Sequence, residues 1–146
     1  MDWPVTYERK IRYSDCDPQG IVFNGNYFTY MDDAVTDFFD AFADTWDQLH
    51  KAGHDIVLGH VEVDFRSSAR LFETLVTGVR VVQVGNTSIT YQLKSWDKVS
   101  GRTVIEATKV HVMVNASTLQ KRPVPSALIE AIERLQGAPV ARKAAQ

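Results

Sequence analysis

Arg12-Tyr-Ser-Asp-Cys-Asp-Pro-Gln-Gly-Ile-Val-Phe-Asn-Gly-Asn-Tyr27 is the stretch on which the reading of this chain turns. Asp17-Pro18 and Gln19-Gly20 interrupt regular structure inside it. Ahead of the interruption, Val5 to Tyr13 alternates as a strand, with Val5, Tyr7, Arg9, Ile11 and Tyr13 on one face. Behind it, from about Asn26 to His50, Phe28, Met31, Val35, Phe38, Phe42, Trp46 and Leu49 recur at three- and four-residue steps. That is the wide apolar stripe of one helix, roughly 35 Å long at 1.5 Å per residue. Asp33, Asp37, Asp40, Asp44 and Asp47 line its other face, and Gly53 stands where a C-terminal cap belongs.

Everything further on reads as strands. His54 to Arg66 alternates Val61, Val63 and Phe65 with polar neighbours, and Leu75 to Val84 is a second run, ended by Gly85-Asn86. Thr87 to Trp96 alternates Ile89, Tyr91 and Leu93 with Thr90, Gln92 and Lys94, and Ser100-Gly101 turns the chain into Thr103 to Val114. Ser126 is placed to cap a short last helix that carries Leu128, Ile132 and Leu135, with Gly137 beyond its end. The order is α+β, without the alternation that builds a parallel sheet. The expectation is a curved antiparallel five-stranded sheet wrapped around one long helix, plus a short C-terminal helix. One domain covers residues 1–137, and 138–146 form a frayed tail.

The turn has a chemical reading. A helix that opens near Asn24-Gly25 leaves its first N–H groups without intrahelical partners, at the positive end of the helix dipole. Donors so placed can hold an oxyanion developing on an acyl carbonyl, while the nearby Asp17 carboxylate attacks the carbonyl carbon or activates water. Gly25 lets a substrate approach the backbone without a Cβ in the way.

The run Asp15-Cys16-Asp17-Pro18-Gln19-Gly20-Ile21-Val22-Phe23, with Asn26-Tyr27 and Met31-Asp32 behind it, closely resembles the signature of the 4-hydroxybenzoyl-CoA thioesterase family. The resemblance implies the hot-dog fold and hydrolysis of acyl-CoA thioesters. It makes Asp17, the second Asp of the motif, the catalytic carboxylate. Phe23, Asn24, Gly25 and Asn26 become the oxyanion and substrate-binding group, and Asp32 a position near the acyl group. Arg66, Arg70, Lys121 and Arg122 become candidates for the phosphates of coenzyme A, which is part of the substrate, so no cofactor is expected. It also implies a homodimer or homotetramer with the site at the subunit interface. Two departures stand out. Many relatives read Gly-His-Val where this chain has Gly20-Ile21-Val22, a form found on the aromatic acyl-CoA side of the family, and Gly85-Asn86 lacks the basic pair some relatives carry.

Composition narrows the rest. The 146 residues suit one domain with a real core, and 45% hydrophobic and 23% charged content are ordinary for a globular chain. A net charge of −2 without a basic block argues against nucleic acid. No apolar run approaches a membrane span, Met1-Asp2-Trp3-Pro4 does not read as a signal peptide, and a single cysteine excludes an internal disulfide. A cytoplasmic domain is expected. Alternatives stay open at this point. Asp17 before Pro18 is also an ordinary turn former, and Asp15 is read as bonding the turn backbone. Cys16 has no His nearby in sequence to activate it, and Gly53 interrupts the helix that would align His50 and His54 for zinc. Asp15 and Asp17 lack further oxygen ligands at a sensible spacing, so no metal is expected. A hot-dog dehydratase would need a His in the motif. A non-catalytic acyl-thioester binding or sensing module, or a thioesterase acting on acyl carrier protein, are the remaining rivals.

Overall fold

The computed structural model describes residues 2–143. In chain order the elements are β1 (Val5–Lys10), a 3-10 turn at Tyr13–Asp15, α1 (Asn26–Asp40), α2 (Ala43–Lys51), β2 (His54–Phe65), β3 (Thr74–Val84), β4 (Ser88–Asp97), β5 (Thr103–Asn115), α3 (Ser126–Gln136) and β6 (Ala141–Arg142). The strands form one sheet in the order β1-β3-β4-β5-β2, with β6 added on β3. β1 pairs antiparallel with β3 from Val5 opposite Val79 to Lys10 opposite Thr74. The alternations read on β4 and β5 become buried rows, whereas β1 and β2 bury no residue fully and Phe65 and Tyr13 stand exposed. On β4, Ile89, Tyr91 and Leu93 face inward, followed by the buried polar Ser95 and Asp97.

Four expectations change. The single long helix is two helices, broken at Ala41-Phe42. At the break Phe42 N–H donates to the Phe39 carbonyl, and the Phe39 ring packs against Phe42 at 5.6 Å and Trp46 at 4.7 Å between centroids. Asp40 and Asp44 would repel one another four residues apart on a continuous helix, and the break separates them while gathering the aromatics. The sheet has six strands rather than five, because the chain returns after α3. Gly137 leaves that helix in the left-handed conformation at φ 71°. Val140 is buried, and Ala141–Arg142 pair parallel with Gln83 and Val84. β6 thus falls within the stretch expected to fray, and residues 144–146 lie outside the described residues. Ser126 is the first residue of α3 rather than its cap, which falls on Pro125 without a side-chain hydrogen bond.

Internal contacts divide the chain into two compact units. The first comprises Met1–Phe38, Val63–Val79 and Leu93–Ala107, with Ile11, Tyr27, Met31, Phe38, Leu75 and Ile105 in its core. The second comprises Phe39–Glu62, Arg80–Gln92 and Thr108–Gln146, where α2 packs on α3 and Leu49, Leu128 and Ile132 are buried. In this unit Gln136 accepts from the Val81 N–H at 2.7 Å and donates to the Val81 carbonyl at 3.0 Å. A side-chain amide thus imitates a neighbouring strand where β3 has none.

Candidate active site

The motif folds as a small hairpin tied to the start of α1, all within the first unit. Asp17 N–H donates to the Ile21 carbonyl at 2.9 Å, and Gly20 N–H to the Asp17 carbonyl at 2.9 Å. One oxygen of the Asp17 carboxylate accepts the Gln19 N–H at 2.8 Å, an Asx turn. Gly20 sits at φ 77°, a conformation that side-chain-bearing residues resist, which explains the glycine. Cys16 bridges Val22, and Ile21 bridges Arg70, so the hairpin lies against the loop between β2 and β3. Val22 N–H donates to the Ala69 carbonyl at 2.9 Å, and Ala69 N–H to the Tyr27 hydroxyl at 3.1 Å.

Backbone accounting then identifies which donors remain. Phe23 N–H is taken by the Asp15 carbonyl at 3.0 Å, and Asn26 N–H by the Phe23 carbonyl at 2.9 Å. Tyr27 and Phe28 donate to the carbonyls of Asn24 and Gly25 at 3.3 and 3.2 Å. No hydrogen bond within the described residues uses the N–H of Asn24 or Gly25, and both residues are exposed. The free donors are therefore these two, immediately ahead of α1, rather than the amides of its first turn. Phe23 is also exposed, and its ring lies over Gly25: a Cβ there would meet Phe23 Cε2 at 2.9 Å. Asn26 contributes its side chain instead, donating from Nδ2 to the Asp15 carbonyl at 2.8 Å.

Asp15 is the buried carboxylate of the hairpin, only 6% exposed. It accepts the Arg12 N–H at 2.8 Å and pairs with Arg9 Nη2 at 2.9 Å. Burial alone would raise its pKa, but the Arg12 amide and the Arg9 guanidinium outweigh it and hold the carboxyl below the ordinary range. Tyr30 lies beneath the Arg9 guanidinium, 5.6 Å from ring centroid to Cζ. Burial, reinforced by the Asp15 charge, pushes the Tyr30 phenol far above its usual value, so it stays neutral. The Tyr30 hydroxyl and Arg9 Nε are buried and meet no partner with hydrogen-bond geometry among the described residues.

The loop between β2 and β3 has its own anchor, one that sequence reading missed. Arg102 Nε donates to Ser67 Oγ at 3.1 Å, and Nη2 donates to the Ser68 carbonyl at 3.0 Å and to Glu73 Oε1 at 2.8 Å. Glu73 Oε1 in turn accepts the Arg70 N–H at 2.7 Å. Nothing local in the sequence links Arg102 to Glu73, 29 residues away.

The remaining sequence candidates scatter. Asp32 stands exposed on α1, its carbonyl accepting Thr36 Oγ at 2.9 Å. Arg70 belongs to the loop that bridges Ile21, while Arg66 is exposed near Asp64 and Glu106, 3.5 Å from each. Lys121 and Arg122 belong to the second unit, where Lys121 bridges Val114 and Arg122 lies 3.4 Å from His54 Nδ1. Tyr27 and Tyr30, rings suited by type to line an acyl site, are core residues, whereas Phe28 is exposed. Among the described residues no three His, Cys, Asp or Glu side chains gather as a metal site, and no helix is long and apolar enough to cross a membrane.

Comparison with known proteins fixes the family. Residues 11–132 match the thioesterase-like superfamily, and the chain belongs to it. The fold is similar to that of a thioesterase of Thermus thermophilus solved with coenzyme A and Zn. That likeness has 27% identity and a TM-score of 0.81, covering 94% of this chain and 98% of that one. It is also similar to a 1,4-dihydroxy-2-naphthoyl-CoA thioesterase of Synechocystis, at 20% identity and a TM-score of 0.76, over 90% and 97% of the two chains. The architecture is thus the hot-dog fold of these thioesterases. A curated relative, a supposed esterase of Aquifex aeolicus, is 27% identical over 63 residues, 43% of this chain; the match spans about half (49%) of that relative's length.

Proposed function

We propose that this chain is an acyl-CoA thioesterase in which Asp17 is the catalytic carboxylate and the Asn24 and Gly25 amides form the oxyanion hole. The observation that carries this reading is the pair of exposed, unused N–H groups beside the Asp17 hairpin. A thioester oxygen received there is stabilised most when it becomes an oxyanion, which lowers the barrier rather than merely tightening binding. Asp17 then either adds to the carbonyl carbon, expelling the coenzyme A thiolate and leaving an acyl anhydride for water to open, or takes a proton from the water that attacks. Either route ends in a carboxylate and a free thiol. One oxygen of Asp17 is held by the Gln19 amide, which leaves the other for the reaction.

Phe23 and Phe28, exposed on either side of the two amides in sequence, suit an apolar acyl group, an aromatic one among them. Arg70, across from Ile21, is the basic candidate best placed for a coenzyme A phosphate. Phe23, Asn26 and Asp32 complete the substrate-binding set, Asn26 by holding the helix start. β2, at one end of the strand order and carrying the exposed Val57 and Leu58, is the edge through which a homodimer would form in a cytoplasmic setting.

The test is thiol release, followed with Ellman's reagent on benzoyl, hydroxybenzoyl, phenylacetyl, short-chain and long-chain CoA esters. Turnover on at least one ester, lost in Asp17→Asn with affinity for the ester retained, is the expected result. Turnover in Asp17→Asn close to that of the unmodified chain would remove Asp17 from the mechanism. Binding of acyl-CoA without thiol release by the unmodified chain would make it a binding module or a carrier-protein hydrolase.

A further inference from the structure

We infer that Asp15, and not only its neighbour Asp17, governs the reaction, as the positioning residue that sets the two oxyanion-hole amides. The inference rests on the thioesterase reading. Asp15 works in two directions at once. Its carboxylate is fixed to β1 and the 3-10 turn through Arg9 Nη2 at 2.9 Å and the Arg12 amide at 2.8 Å. Its carbonyl, on the opposite side of the same residue, accepts both the Phe23 N–H at 3.0 Å and Asn26 Nδ2 at 2.8 Å.

Those two bonds bracket residues 24 and 25. With Phe23 and Asn26 both tied to one oxygen, the segment between them cannot turn its amides inward, and they remain directed at solvent. Asp17, two residues further on from Asp15, is carried by the same anchor through the hairpin. Tyr30, with its ring 5.6 Å from the Arg9 guanidinium, packs against the same ion pair. Because an oxyanion hole acts through geometry, a small displacement of the bracket lowers turnover more than it lowers affinity.

The test compares Asp15→Asn and Arg9→Lys with the unmodified chain. Asn keeps the size and one acceptor of Asp15 but loses the charge; Lys keeps the charge of Arg9 but loses its fork. The expected result is a fall in kcat of about ten- to hundredfold in Asp15→Asn and a smaller fall in Arg9→Lys, with KM within about threefold in both. The amide resonances of Asn24 and Gly25 must also move in the NMR spectrum of each variant that folds. A residue that only stabilises the fold would lower Tm while leaving kcat and those two resonances where they were, and that outcome overturns the inference. Arg9→Lys keeps the test decisive if Asp15→Asn does not fold. If the unmodified chain hydrolyses no ester, the thioesterase reading fails separately, and the two amide resonances alone decide whether Asp15 sets the bracket.

Discussion

Replacing Arg102 by Lys should loosen the candidate site without touching it. The guanidinium serves Ser67, Ser68 and Glu73 at 3.1, 3.0 and 2.8 Å in one plane. An ammonium retains the attraction to Glu73 but cannot span the three. Two bonds to uncharged acceptors are lost, each contributing roughly 0.5–1.5 kcal/mol. The ion pair that remains is 37% exposed on the Arg102 side, a setting in which such pairs contribute about 0–1 kcal/mol, so its weakening adds little. The sum is roughly 1–3 kcal/mol, or a fall in Tm of about 2–10 °C for a chain of this length. Scanning calorimetry measures the first part. Hydrogen exchange measures the second, because the Val22 amide donates to Ala69 in the loop that Arg102 holds, and should exchange faster. Unchanged Tm, or Val22 protection as strong as before, would refute the reasoning that this loop braces the hairpin.

Two further outcomes can be checked. Burial, and secondarily the Arg122 charge, depress the His54 pKa below 6.5, so the folded chain binds this proton less well than the unfolded one. The stabilisation from neutral His54 is full above pH 6.5 and is lost as the pH falls through the folded value; Arg122→Met should raise that value only part of the way, as read by NMR titration of the ring, since burial persists. Phe72 is 73% exposed and held at φ 71°, so Phe72→Gly relieves backbone strain at little loss of packing and should raise Tm by a few degrees, roughly the effect of 1 kcal/mol; a lower Tm would mean the ring has a packing role.

The strands were legible because alternation is a local property: β3, β4 and β5 begin and end within one residue of where the pattern places them. The helix break was not, since Phe38, Phe42 and Trp46 continue the apolar stripe through it, and the packing of Phe42 and Trp46 on Phe39 shows only in the fold. β6 is two residues long and exists through its pairing with Gln83 and Val84, which no local pattern announces. At the candidate site the sequence located the hairpin and the helix start, because Asp17-Pro18, Gly20 and Gly25 are punctuation any reader can see. It named the Asn24 and Gly25 amides but not the reason they go unused, which depends on where Asp15, Phe23 and Asn26 send their hydrogen bonds. The basic candidates were weakest for the same reason. Arg66, Arg70, Lys121 and Arg122 are alike as letters and differ only in what the fold sets beside them.

The Phe23 ring resting on Gly25 has an evolutionary consequence. A Cβ at position 25 would push the exposed Phe23 ring aside, so the two positions are coupled through that ring. A lineage that exchanged Phe23 for a small residue would release position 25 to vary, and the pair should drift together rather than singly.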